Sequence, residues 1–185
     1  MLCVDIESGG LDPYTCGICT VTMKVVGKDI LKTIYIKPTQ NRVYEQKAFD
    51  INGLNYSILE EKGVTEKEAI KQITTFIIDN FPNMKPNILA HNAIFDLQFL
   101  NALFKRNGYP LFTDYCYYHP QDTMIIMKFL QQSGLTPGLS KVNLGACYKY
   151  FFHKDIKNQH TSEADVRATE ELYFKIIDLL ENYKV

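Results

Sequence analysis

The sequence predicts a mixed α/β sheet flanked by helices. Short alternating strands crowd the first 36 residues, helical periodicity takes over from Thr65, and a brief apolar strand returns at Asn87 between two helices. In folds of this class, chemistry gathers where strand ends meet helix starts.

The stretch from Leu2 to Leu11 reads as a short buried strand that ends in the glycine turn Gly9-Gly10. Alternation places Leu2, Val4 and Ile6 on one face and Asp5 and Glu7 on the other. Asp12-Pro13 delays the next strand. Gly17 to Val26 is rich in β-branched residues, turns at Gly27-Lys28-Asp29 and is followed by Ile30 to Ile36, a hairpin beside the first strand. Residues 39–63 read as an irregular polar loop arching over a sheet edge.

Thr65 and Glu68 have capping-box spacing, and Ala69, Ile70, Ile73, Phe76 and Ile77 recur at helical intervals. Asn87 to Ala90 is an apolar strand, after which Asn92 is placed to cap a helix from Ala93 to about Arg106. Gly108 to Pro120 reads as an aromatic connector. Helices follow at Asp122–Gln132 and Val142–Phe152, separated by the breakers between Ser133 and Gly138, and a last helix runs from Ser162 to Asn182.

A chain of 185 residues suits a single domain, 1–185, and no repeat, low-complexity tract or linker divides it. The net charge of −1 argues against a protein that grips long nucleic acid through phosphate neutralisation, but not against one that holds a strand end at a metal site. No run approaches a membrane span and no leader pattern precedes the first strand, so the expected location is cytoplasmic. The five cysteines form no even framework, which fits a reducing compartment. Cys16 and Cys19 lack a second pair at zinc spacing and read as small apolar residues.

Three acidic sites remain. Asp5 and Glu7 stand about 7 Å apart on one strand face and repel unless a cation or proton intervenes. Asp96 falls in the first turn of its helix, where the dipole alone favours an acid. Ser162 and Asp165 have capping-box spacing, and His160 precedes them on a loop. Each has an ordinary structural explanation by itself.

Taken together, the three stretches resemble the motifs of the DEDDh 3′–5′ exonucleases, the DnaQ-like and RNase T-like group. Asp5, Glu7, Gly10 and Leu11 match D-x-E-x-x-G-L, and His91 to Leu100 matches H-N-A-x-F-D-x-x-F-L at every fixed position. His160 precedes Asp165 by five residues, the spacing of the histidine subgroup. Ala48 to Leu54 and Asp122-Thr123 resemble the connecting segments, so the likeness spans nearly the whole chain. Gly9 departs from it, standing where many members carry threonine or alanine.

The resemblance implies an RNase H-like fold with a mixed five-stranded sheet, and a phosphodiesterase using two divalent cations. Oxygen ligands without thiolate or paired histidine call for Mg²⁺ or Mn²⁺. By similarity Asp5, Glu7 and Asp165 hold the catalytic ion, Asp5 bridges to the second, and Asp96 acts on the second through water. His160 becomes the general base, a task to which the imidazole is suited near neutral pH. Gly10 and Leu11 are expected to hold the 3′-terminal nucleotide, Leu11 wedging against the last bases. Asn92 and Phe95 join them in binding substrate; Phe95 and Phe99 are both candidates to stack on a base, with the core the favoured alternative for Phe99. Lys149, Lys154 and Lys157, among Tyr148, Tyr150, Phe151 and Phe152, form a basic–aromatic mix that suits a strand track or an amphipathic helix end.

The expected partner is the 3′ end of single-stranded or frayed DNA, toward which the connecting segments lean, with RNA the alternative within the class. Two other readings are a catalytically silent nucleic-acid-binding module and a proofreading subunit dependent on a polymerase or another nucleic-acid-processing partner. All four acids and the histidine are present, which argues against the silent module.

Overall fold

β1 (Leu2–Ser8) runs through the middle of a five-stranded mixed sheet in the computed structural model, which describes residues 1–182. β2 (Ile18–Val25) pairs antiparallel on one side of β1 and carries β3 (Ile30–Tyr35) outside it. β4 (Asn87–Ala90) pairs parallel on the other side and carries β5 (Tyr117–Asp122), giving the order β3-β2-β1-β4-β5.

The alternation in β1 divides the molecule as expected. Leu2, Val4 and Ile6 enter the main core with α3 (Glu66–Asn80) and α4 (Ala93–Arg106). On the opposite face Cys3 packs with Leu89 and Val166 beneath the long α8 (Ser162–Asn182). A second core joins α8 to α6 (Thr123–Gln132) and α7 (Leu144–Phe152). Phe99 is fully buried and all five cysteines are buried and free. No described helix is long and apolar enough to cross a membrane.

Residues 39–63 are more ordered than their composition suggests. They contain α1 (Gln46–Asn52) and α2 (Tyr56–Lys62), each seven residues long. Helices this short are unstable alone; Phe49 and Leu59 hold them by burying against Cys19 of β2. The aromatic connector likewise contains α5 (Phe112–Tyr115) and the fifth strand, whose side chains are mostly exposed at the sheet edge. Pro120 sits there because an edge strand tolerates a missing donor.

Two caps differ from expectation. Asn92 adopts a left-handed conformation (φ 73°) and its side chain caps nothing. The Asp122 carboxylate instead accepts the N–H groups of Asn92 (3.0 Å) and Ala93 (2.8 Å) while also capping its own helix at Met124 (2.9 Å). At α8, Thr161 takes the capping position: its hydroxyl accepts from the Ala164 N–H at 3.3 Å, and Ser162 turns inward. The Ser162–Asp165 capping box therefore does not form.

Candidate active site

β1 ends where its two neighbours diverge. Within β1, only Leu2 and Cys3 pair with β4, so the second half of β1 lacks a strand on that side. The buried backbone donor at Ile6 that no strand pairs is taken by Asp96 Oδ1 at 3.0 Å, from the first turn of α4. The second acidic stretch is thereby joined to the first, between Asp5 and Glu7.

Asp165, in the first turn of α8, completes the group. Asp5, Glu7 and Asp165 each present a carboxylate oxygen, and these oxygens lie within 4.8 Å of one another. Burial pushes Asp5 well above the ordinary carboxylate range, reinforced by Asp96, Glu7 and Asp165. Burial, then Asp165 and Asp96, pushes Glu7 up to about 8. Burial raises Asp165 to about 6 despite the opposing influence of His160. Acids in such an array ionise together only beside a compensating cation. Asp165 Oδ1 is buried and accepts no hydrogen bond from the described residues, leaving one oxygen free for a ligand. An all-oxygen donor set of this kind fits Mg²⁺ or Mn²⁺. Asp96 stands apart from the three, buried and raised by the same desolvation.

Two of the clefts that border this cluster are the larger ones. One, of about 490 Å³, is lined by Asp5, His91, Asn92, Gln159, His160 and Asp165, with Asn143 and Leu144 beyond. His160 is exposed there, in a left-handed conformation (φ 69°) immediately ahead of α8. The other cleft, of about 370 Å³, runs from Ile6 and Glu7 past Gly10 and Leu11 to Phe95, with Ala48, Ile51 and Asn52 of α1 as its far wall. Leu11 projects into solvent, 83% exposed, and Phe95 is half-buried with its ring 4.8 Å from Phe99.

The glycine turn has a steric origin. A Cβ on Gly9 would come within 2.6 Å of the Val43 carbonyl, and one on Gly10 within 2.6 Å of Cys16 Sγ. The segment that closes on them is pinned by Glu45 N–H to Gly9 carbonyl at 2.7 Å. Gly9, the one departure from the family pattern, is thus required by the 43–45 segment of this chain.

Three supporting features escaped the sequence reading. Asp122 is described above. His91 Nε2 donates to the Val142 carbonyl and Nδ1 meets the Thr123 hydroxyl, both at 2.9 Å, tying the strand end to the loop before α7. Burial holds this imidazole below its ordinary pKa, hence neutral, with its proton on Nε2 because a carbonyl only accepts. The third is the α1 wall, whose signal was Ala48, Ile51 and Asn52 at helical spacing. Of the basic–aromatic group, Lys154 lies over the rings of Tyr148 (5.7 Å) and Phe152 (6.0 Å), and Lys149 pairs with Asp155.

A family model described as an exonuclease, of the RNase T type, matches residues 2–173. The chain belongs to this exonuclease family. It is 27% identical over 186 residues to a ribonuclease T of Buchnera aphidicola subsp. Baizongia pistaciae, covering 95% of this chain and 82% of that one. It is 26% identical over 183 residues to the PolC-type DNA polymerase III of Thermotoga maritima, covering 96% of this chain and 12% of the polymerase. Among solved structures, E. coli exonuclease I in complex with a dT13 oligonucleotide aligns with all of this chain at a TM-score of 0.79 and 20% identity. This chain spans 44% of that one. The sheet and its helices are thus an RNase H-like fold, and the exonuclease family is one of hydrolytic nucleases.

Proposed function

We propose that this exonuclease removes nucleoside 5′-monophosphates from the 3′ end of single-stranded or frayed DNA. Asp5, Glu7 and Asp165 would hold a divalent cation, with Asp96 completing the site for a second. The observation that carries this reading is the meeting of three carboxylates within 4.8 Å, one with a buried oxygen lacking a donor. Bound Mg²⁺ or Mn²⁺ supplies charge that activates the attacking water and steadies the leaving 3′ oxygen.

The residues of the chain do the rest. His160, beside Asp5 and Asp165 in the larger cleft, takes the proton of the attacking water as general base. The smaller cleft receives the terminal nucleotide: Gly10 permits close approach of the backbone, Leu11 wedges against the bases and Phe95 stacks. Asn92 orients the strand from the other cleft, which Gln159 also lines. The domain 1–185 acts as one unit, in the cytoplasm, on a strand end that a polymerase or another processing protein can present. The PolC-type relative supports the polymerase setting.

A second reading takes RNA as the substrate, and the ribonuclease T relative favours it. Parallel digests of matched DNA and RNA oligonucleotides with Mg²⁺ or Mn²⁺, resolved by chromatography, test both. The proposal predicts 5′-monophosphates, released faster from DNA; faster release from RNA selects the second reading. Nucleoside 3′-monophosphates from either strand would contradict the chemistry itself.

A further inference from the structure

A central strand covered on both faces ordinarily reads as a continuous apolar run. β2 does so on one face only. Val21, Met23 and Val25 enter the main core, whereas the face beneath α8 carries Thr20, Thr22 and Lys24, which are 3%, 0% and 5% exposed. These buried polar groups all have partners. Ser162 Oγ, on the first residue of α8, meets Thr22 Oγ1 at 2.7 Å and Thr20 Oγ1 at 3.0 Å, and Thr22 continues to Thr33 at 2.9 Å. Eight residues along the same helix, Glu170 pairs with Lys24 at 2.7 Å and accepts the Gly27 N–H.

The register gives this ladder its meaning. Thr22 lies directly across from Asp5, and Thr20 directly across from Glu7. Directly opposed residues of antiparallel strands share a face. The hydroxyls that grip Ser162 therefore stand beside two acids of the cluster, while the third, Asp165, lies three residues beyond Ser162 on the gripped helix. Apolar contact is non-directional and lets a helix slide. A slip of one residue turns a helix by about 100° and advances it about 1.5 Å, enough to carry Asp165 away from its partners.

We infer that Thr20, Thr22 and Ser162 are positioning residues for the acid cluster, locking the first turn of α8 in register with β1 so that Asp165 meets Asp5 and Glu7. The inference rests on the metal-binding reading of that cluster. The hydroxyls are bonded to one another and act through the placement of Asp165. They hold three mutually repelling carboxylates in the arrangement a cation needs, so that its arrival orders nothing new.

The test separates positioning from stability. Ser162→Ala leaves the Thr20 hydroxyl buried and unpaired, whereas Thr20→Val/Thr22→Val/Ser162→Ala replaces the three buried hydroxyls together, which need not destabilise, and leaves only the half-buried Thr33 hydroxyl to exchange its partner for water in the adjoining cleft. Ser162→Thr keeps the hydroxyl. Mn²⁺ affinity is measured by calorimetry, with the melting temperature of the metal-free protein and the kcat and KM of a short oligonucleotide.

The triple variant should melt near the wild-type temperature yet bind Mn²⁺ about tenfold or more weakly, the scale of effects known for groups that orient metal ligands. Its kcat should fall at limiting Mn²⁺ and recover at saturation, with KM unchanged, and Ser162→Thr should retain wild-type affinity. Wild-type Mn²⁺ affinity in the folded triple variant would overturn the inference while leaving the metal site standing. A wild-type protein that binds no Mn²⁺ would overturn the metal-site reading and this inference with it.

Discussion

Asp96 holds the backbone N–H of Ile6 at 3.0 Å across 90 residues of sequence, and Ile6 lies between Asp5 and Glu7. One carboxylate thus joins the helix of the second motif to the strand of the first. Its hydrogen-bonding and its charge can be separated by substitution. Asp96→Asn keeps an acceptor for Ile6 and removes the charge. It should melt near the wild-type temperature and lose roughly 10–100-fold in activity, as expected for a group acting on a metal through water. Asp96→Ala also strands the buried N–H and should lose about 1–3 kcal/mol of stability. Denaturant titration beside kinetics separates the two effects.

The raised acids make the metal-free protein sensitive to alkali. Glu7 has its folded pKa raised from 4.5 to about 8. Between those values the native state binds more protons than the unfolded state, so stability falls as pH rises. Its favourable contribution is fully present below about 4.5 and is lost through about 8. Asp165, raised from 3.8 to about 6, adds to the lower part of that window. In EDTA the melting temperature should fall across this range, and Mg²⁺ or Mn²⁺ should restore it. Glu7→Gln in EDTA at pH 8 should melt several degrees above the wild type and respond less to metal. A wild-type melting temperature unaffected by metal at pH 8 would contradict this assignment.

His160 is exposed, so its removal isolates its chemical role. His160→Ala should retain the wild-type melting temperature and the KM for an oligonucleotide, while kcat falls by about 10²–10⁴, the usual worth of a general base. Near-wild-type kcat in that variant would remove His160 from the mechanism.

Leu11 and Phe95 differ in burial and should differ in their response. Leu11→Ala, at an 83% exposed position, should leave stability unchanged and raise KM. Phe95→Ala should also lose stability, because its ring packs on Phe99. Loss of a stacked base costs about 1–3 kcal/mol, so KM should rise roughly tenfold in Phe95→Ala.

Much of this arrangement is legible in the sequence because it is written locally. The alternation of β1 separates its acids from its core residues, and the periodicity of α3, α4 and α8 is carried by their own apolar stripes. What escaped is decided by distant partners. Asp122 replaces the Asn92 side chain as a cap from 30 residues away, which no local pattern reveals. β5 lacks alternation and is mostly exposed, being an edge strand recruited by β4. α1 and α2 owe their stability to Phe49 and Leu59 packing on Cys19. The hydroxyls of Thr20 and Thr22 look like ordinary strand residues until Ser162 is placed beside them.

The central claim, a metal-dependent exonuclease working from the 3′ end with Asp5 at its centre, is tested most directly on a 5′-labelled single strand. Wild-type protein and Asp5→Ala are incubated with it in Mg²⁺, Mn²⁺ or EDTA, and the products are resolved on a denaturing gel. The account predicts a ladder shortening from the 3′ end with either metal, absent in EDTA and absent in the variant. A full-length strand under all conditions, or an equal ladder from Asp5→Ala, would contradict it.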